Sequence, residues 1–315
     1  MLAKCRRDQW SVDDLDWSQR PRSMSRPDEV AVVQYFTNMS GIELLAGALF
    51  QEQRERTDDP VLKEIFDSFV TDEVRHSQVA ARLARYYDVH HYQPYAMDVA
   101  LARFTPHFVD AVRHLSAEIA NIYITTGELI LDVALLRSLN DYVDDAMSHE
   151  AMELINRDES RHIAIDFHMV EYYSSESWLR ELERRPRRSL LKRLQAWWAL
   201  ANMFYFAAPF FRRVFFEPMD LTDPGGRRIL EAFKRIQILG ARRSVAERPF
   251  NAFLLRMQAL HEHRLAGPVF GRVVRRVLGL QPRLLRTLYT EAEAEEARRM
   301  SFDEMAQEAL QAKFA

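Results

Sequence analysis

Apolar residues recur every three to four positions along most of the chain, as in Phe66, Phe69 and Val70 or in Ile119, Ile122 and Leu129. That is the spacing of one buried helix face. Oxygen acceptors beside proline mark where such helices begin: Ser25 precedes Pro27 and Asp28, Asp59 precedes Pro60, and Thr105 precedes Pro106. An N-cap oxygen satisfies backbone N–H groups that lack an intrahelical partner, and proline has no N–H to lose in the first turn. Asn140 and Asp141 offer a fourth start. The pattern predicts helices over 28–57, 60–88, 105–139 and 141–174, with a loop over 90–98. Four long helices with mostly short connections predict a bundle.

The character changes after Ser174. A basic segment from Arg184 to Arg193 leads into an aromatic-rich stretch with Trp197, Trp198, Phe204, Tyr205, Phe206, Phe210, Phe211, Phe215 and Phe216. Asp223-Pro224-Gly225-Gly226 is a break, helical spacing resumes to about 290, and Ser301 with Glu304 forms a capping-box signature for a last helix. The expected organisation is therefore all-α: an N-terminal tail over 1–27, a four-helix core over 28–175, and a helical extension over 176–315 packing on that core. The longest nearly apolar run, 196–211, contains Asn202 and Pro209 and is shorter than the roughly 20 residues of a spanning helix. It is expected to pack inside the protein, with no transmembrane segment.

Composition narrows the class. With 48% hydrophobic and 28% charged residues among 315, the chain is neither disordered nor fibrous. Nine glycines and 12 prolines are too few for a fold built on many tight turns. A single cysteine, Cys5, makes no intramolecular disulfide, and no CxxC is present. The start, MLAKCRRDQW, is charged where a secretory signal needs an apolar run, so a cytoplasmic location is expected. Net charge is only −3, yet residues 1–175 carry 17 Lys/Arg against 30 Asp/Glu, and 176–315 carry 26 against 16. An acidic first half suits either a solvated surface or carboxylates gathered around a cation. No nucleic-acid partner is expected.

The chemistry lies in a repeat. Asp-Glu-x-Arg-His occurs at 72–76 and again at 158–162. Glu-x-x-His sets a carboxylate and an imidazole one turn apart on one helix face, where both reach one ion. Random order would give about 0.8 Glu-x-x-His pairs but only about 0.006 copies of the full motif, so two copies are a signal. Glu43 lies 30 residues before Glu73, and Glu128 lies 31 before Glu159. Both sit in apolar helical surroundings, where an unpaired carboxylate costs several kcal/mol. In antiparallel hairpins such spacings bring residues to one level, so Glu43, Glu73, His76, Glu128, Glu159 and His162 converge. One Glu from each of two helices and Glu-x-x-His from each of two others is the di-iron or di-manganese ligand set of ferritin-like bundles. Carboxylate and imidazole suit iron or manganese better than the thiolate-rich sets of structural zinc. Asp72 and Asp158 are placed to hold the ligand imidazoles through their second nitrogen, with Arg75 and Arg161 beside them. The competing reading, buried ion pairs with these two arginines, explains neither the repeated spacing nor both histidines. Phe36, Met39, Phe50, Phe69 and Met152 share the ligand faces and are candidates for a pocket or for plain core.

At these motifs, over about residues 28–175, the sequence resembles the ferritin-like di-iron carboxylate superfamily, and most of all the p-aminobenzoate N-oxygenase family of arylamine oxygenases. The resemblance implies Glu43 and Glu128 as terminal carboxylates, Glu73 and Glu159 as bridging ones, and His76 and His162 as the nitrogen ligands. It also implies crossed support, Asp72 to His162 and Asp158 to His76. One position departs: the N-oxygenases carry a further histidine one turn before the second motif's Glu, where this chain has Ile155. The implied protein is an O2-dependent di-iron monooxygenase with two iron ions (manganese as the variant), acting on an arylamine or related small molecule with electrons from a donor protein. Similar motifs in acyl desaturases, C–H hydroxylases and ferroxidase or iron-storage proteins supply the alternatives. The basic half, +15 between Arg180 and Thr290, suits a substrate tethered to an acidic carrier protein. A homodimer is compatible with all of these.

Overall fold

In the computed structural model, which describes residues 1–185 and 189–311, every regular element among those residues is a helix. Positions 186–188 of the basic run and 312–315 of the extension lie outside the described residues. The chain opens with a short helix, α1 (Leu2–Arg7), and then α2 (Arg26–Arg54) and α3 (Pro60–Tyr87) start at the expected caps. Ser25 Oγ accepts from the Asp28 N–H (3.4 Å), and Asp59 Oδ1 accepts from Val61 N (2.7 Å) and Leu62 N (3.2 Å).

The third and fourth starts need correction. The helix expected to begin at Thr105 begins instead as α4 (Val99–His114), capped by Asp98 Oδ1 on Ala100 N (2.7 Å), with Pro106 inside it. Pro106 and Ala102 are both on the exposed side, where water can serve the carbonyl that proline leaves unbonded. The stretch then breaks at Leu115 and Ser116, and α5 (Ala117–Leu129) runs through a π-helical segment, Ile130–Leu136, into α6 (Arg137–Val143). The fourth start moves from Asn140 to Asp145, after Asp144 takes a left-handed conformation at φ 48°.

Asp145 opens α7 (Ala146–Ser174) with an Oδ1 that accepts from Ser148 N (2.8 Å) and from the Tyr87 hydroxyl (2.6 Å). Replacing Asp145 with Ala is expected to cost about 2 kcal/mol in urea denaturation, because a cap is worth about 1 and the Tyr87 hydroxyl loses its acceptor as well. A loss below a few tenths would show that α7 starts without this cap.

α2 packs on α3 and α5, and α7 packs on the same two, so four helices close a ring around one core. The stretch 117–143 is long and apolar enough to cross a membrane by length and composition, and 72% of its most apolar window is buried within the protein. It is the inner helix that carries Glu128. Residues 1–27, expected as a tail, fold onto this bundle instead: α1 packs on α3, Cys5 is buried and Leu15 joins the core.

Beyond Ser174 come α8 (Glu176–Arg184), α9 (Leu190–Phe210), a second π-helical segment at Phe211–Phe216, α10 (Glu217–Thr222) and α11 (Arg227–Ala241). Then follow α12 (Arg243–Ala246), α13 (Pro249–Glu262), α14 (Gly267–Leu278), α15 (Glu291–Arg299) and α16 (Phe302–Gln311). The Ser301–Glu304 capping box forms, with Glu304 N donating to Ser301 Oγ (3.1 Å). The extension lies on the bundle through α9 on α4, α11 on α5 and the π segment, and α16 on α7. The apolar run 196–211 is buried on one side only. Ala199, Met203, Ala207 and Phe210 face inward, while Trp197, Trp198 and Tyr205 are 68%, 72% and 76% exposed. A stripe at i, i+4, i+8 and i+11 seats on α4, and the larger aromatics fall on the other faces.

Candidate metal centre

The four bundle helices each deliver one part of the site. Glu43 comes from α2, Glu73 and His76 from α3, Glu128 from the last turn of α5, and Glu159 and His162 from α7, all of them buried. They form two groups in which one ligand atom per residue lies within 4.8 Å of the others: Glu43, Glu73, His76 and Glu159, and Glu73, Glu128, Glu159 and His162. Glu73 and Glu159 belong to both. His76 Nδ1 is 3.1 Å from Glu159 and 3.6 Å from Glu73, and His162 Nδ1 is 3.1 Å from Glu73 and 3.2 Å from Glu159. Each imidazole thus aims its Nδ1 at the shared carboxylates. Gly47 faces α3 where the two helices come close, and a Cβ there would make a tight contact of 3.2 Å with the Cβ of Glu73.

The other imidazole nitrogen faces away from the carboxylates. His76 Nε2 lies 3.1 Å from Asp158 Oδ2 and His162 Nε2 lies 3.5 Å from Asp72 Oδ2, so each aspartate serves the histidine of the other motif. Arg75 binds Asp72 and also Asp158 (2.7 Å), while Arg161 binds Asp158 (2.6 Å) and Asp72 (3.0 Å). Two buried anions and two buried cations in a closed ring leave no charge uncompensated, the condition under which buried ions are tolerated. The arginines are therefore ion-paired, but to the supporting aspartates rather than to the six converging residues.

Protonation follows from burial and charge. Burial pushes the Glu43 carboxyl well above its ordinary value and Glu73 adds repulsion; burial does the same to Glu128, with Glu159 adding to it. For His76 burial acts downward, but hydrogen bonds to Asp158, Glu159 and Glu73 outweigh it and hold the imidazole well above its ordinary value. His162 is raised likewise: burial opposes, and the charge of Glu159 and the contact with Asp72 prevail. Burial favours a neutral Asp158, yet the His76 hydrogen bond and charge, with Arg75 and Arg161, hold it well below the usual carboxylate range.

Further neighbours close around the six residues, and of these only Asp132, one turn from Glu128, is marked by its spacing as a candidate hydrogen-bond partner of that carboxylate. Trp10 Nε1–H donates to Asp158 Oδ2 (2.7 Å), its ring stacks on His76 at 6.5 Å between centroids, and the Arg75 guanidinium lies 4.9 Å over it. Gln9 accepts from Arg75 (2.8 Å) and donates to Asp72 (3.3 Å). Trp10→Phe keeps an aromatic ring and deletes one donor to a charged acceptor. It is expected to cost about 1–2 kcal/mol in urea denaturation; an unchanged midpoint would show that this donor adds nothing. Asp166, one turn beyond His162 and fully buried, has its carboxyl pushed by burial up to about 8. Its spacing of four from His162 is a signal that the sequence does carry. Asp132, also buried, sits in the π segment one turn after Glu128, and π-helical turns recur at functional sites.

Of the apolar candidates, Phe69 and Phe50 pack on the His162 ring at 4.2 and 5.0 Å, Phe36 stacks on Tyr87, and Met39 and Met152 are closed into the core. An open volume exists elsewhere. A cavity of about 180 Å³ lies between α5 and the extension, walled by Ile122, Thr125 and Leu129 on one side and by Phe233, Ile236 and Leu254 on the other. Ile155, the position at which this chain departs from the family pattern it resembles, is fully buried and apolar. Comparison with family models, with curated proteins and with solved structures finds no match for this chain.

Proposed function

We propose that this chain is a ferritin-like di-iron carboxylate oxygenase that uses O2 to oxidise a small organic substrate, with an arylamine nitrogen as the leading target. One observation carries the reading: two four-residue carboxylate and imidazole groups share Glu73 and Glu159 at the centre of a helical bundle. The donor set fits a pair of hard-to-borderline ions, since both oxygens of Glu43 and Oε2 of Glu128 are buried with no hydrogen-bond partner. Glu43 and His76 would hold one ion, Glu128 and His162 the other, and Glu73 and Glu159 both. Bound iron would supply the reductive activation of O2.

The chain's own residues do the rest. Asp158 and Asp72 fix the orientation of the two imidazoles. Phe50, Phe69 and Trp10 exclude water from the ring faces. Asp166, neutral or charged near neutral pH, is a proton carrier four residues from His162. The apolar cavity against α5 supports an organic substrate over a storage role. A carbon-directed hydroxylase or desaturase is the second reading, favoured by Ile155 where the N-oxygenases have histidine.

The test is oxygen uptake by the iron-loaded, reduced protein offered arylamines, acyl chains on carrier protein and simple aromatics, with products identified by mass. A hydroxylamine or nitro product is expected. Oxidation confined to carbon would replace the leading reading with the second, and iron oxidation with no organic product would overturn both.

A further inference from the structure

We propose that the cleft between α13 and α14 binds a phosphate-bearing anion. The cleft has a volume of about 710 Å³. Its wall carries Arg272 and Arg275 from one face of α14, Arg264 from the turn before it, and Arg286 just beyond the 3-10 turn Pro282–Leu285, together with His261 and His263. The one acid in the wall, Glu262, gives an oxygen to the Thr287 N–H (2.6 Å).

Several arginines elsewhere in the second half of the chain are matched, though among the described residues Arg184, Arg193, Arg227, Arg256 and Arg276 stand singly. Arg213 pairs with Asp98 (2.8 Å), Arg228 with Asp141 (2.9 Å), Arg235 with Glu231 (2.8 Å) and Arg243 with Glu247 (3.0 Å). Among the described residues, none of the four cleft arginines has an ion pair or a guanidinium hydrogen bond within the protein. Four unmatched guanidiniums around one concave space repel each other unless an anion joins them.

The backbone builds the space. Gly267 lies where any Cβ would strike the His261 carbonyl, so the start of α14 comes hard against the end of α13. His263 Nδ1 accepts from the N–H groups of Leu265 and Ala266 (3.3 Å each), which leaves Nε2 as the ring nitrogen free to donate. His261 Nδ1 is buried with no partner.

The class of ligand follows from charge and size. Four arginines less Glu262 leave a surplus of three, more than a single carboxylate neutralises, and guanidinium forks match phosphate oxygens two at a time. The volume exceeds one inorganic phosphate, so the natural ligand is an organic phosphate or a diphosphate. The site stands apart from the metal centre and does not depend on the reading given to that centre.

The probe is inorganic pyrophosphate, titrated calorimetrically into the full chain at low salt. One site per chain is expected, weakened at least about tenfold by Arg272→Gln with Arg275→Gln. Arg243→Gln with Arg180→Gln makes the same charge change on exposed residues outside the cleft and is expected to leave the affinity unchanged. Pyrophosphate should also shield Arg264, Arg272, Arg275 and Arg286, but not Arg243, from modification by phenylglyoxal, read by mass spectrometry on the unaltered protein. Sedimentation with phosphatidylglycerol vesicles, reversed by pyrophosphate, would identify a lipid headgroup as the source of the phosphate. Pyrophosphate binding without sedimentation would identify a soluble one, and either result upholds the site. No binding, equal loss in both double variants, or uniform arginine modification would overturn it.

Discussion

Glu73→Ala is expected to abolish metal binding at both ion positions, whereas Glu43→Ala removes one ion per chain and leaves the other. The asymmetry comes from membership. Glu73 and Glu159 stand in both four-residue groups, while Glu43 stands only in the group that contains His76, and Glu128 only in the group that contains His162. Outer partners of metal ligands are already worth about 10–100-fold in affinity, so loss of a shared ligand should exceed about a hundredfold at each position. Glu159→Ala should behave like Glu73→Ala, and Glu128→Ala like Glu43→Ala. Anaerobic ferrous titration with elemental analysis counts the ions, and circular dichroism shows that the bundle persists. Two ions retained in Glu73→Ala and Glu159→Ala would remove the basis for a paired centre.

Local periodicity carried much of this and distance concealed the rest. Asp-Glu-x-Arg-His is a one-turn pattern and needs only the helix to be read, and the intervals of 30 and 31 residues to Glu43 and Glu128 need only an antiparallel pair. The Ser25 and Asp59 caps act within their own turn and stand where expected. Thr105-Pro106 has the same local look, yet Asp98 caps the helix because the chain before it is already helical, and an exposed proline is tolerated inside. The π segment after Glu128 has no glycine or proline to announce it. Trp10 meets Asp158 across 148 positions of chain, and no spacing rule links a residue before the first long helix to the second motif. The same limit applies to charge. Halves of −13 and +10 suggest mutual neutralisation, which Arg213 with Asp98 and Arg228 with Asp141 do achieve, while four arginines gather in one cleft without partners.

Loading the metal-free protein is expected to release protons, because ligands must be unprotonated to bind. They come from His76, His162, Glu43 and Glu128, each of which the buried site holds above its ordinary value. Without metal these groups keep their protons as pH rises past about 4.5 for the carboxyls and 6.5 for the imidazoles, whereas the unfolded chain loses its own there. The folded state then binds more protons than the unfolded one, so stability of the metal-free protein falls with rising pH above those values. Glu159 and Asp158 are held low, Glu159 by His162 and His76 against the effect of burial, so their contribution is present above the ordinary carboxylate range and is lost only at strongly acid pH. Above the ordinary carboxylate range the raised groups therefore set the slope, and metal, by replacing their protons, should flatten it. Calorimetric titration of Mn2+ or Fe2+ in buffers of different ionisation heat gives the proton count, and thermal denaturation across pH gives both slopes. A count near zero, or a metal-free protein that gains stability as pH rises from 6 to 9, would mean that the six residues are already arranged as unprotonated ligands before any ion arrives.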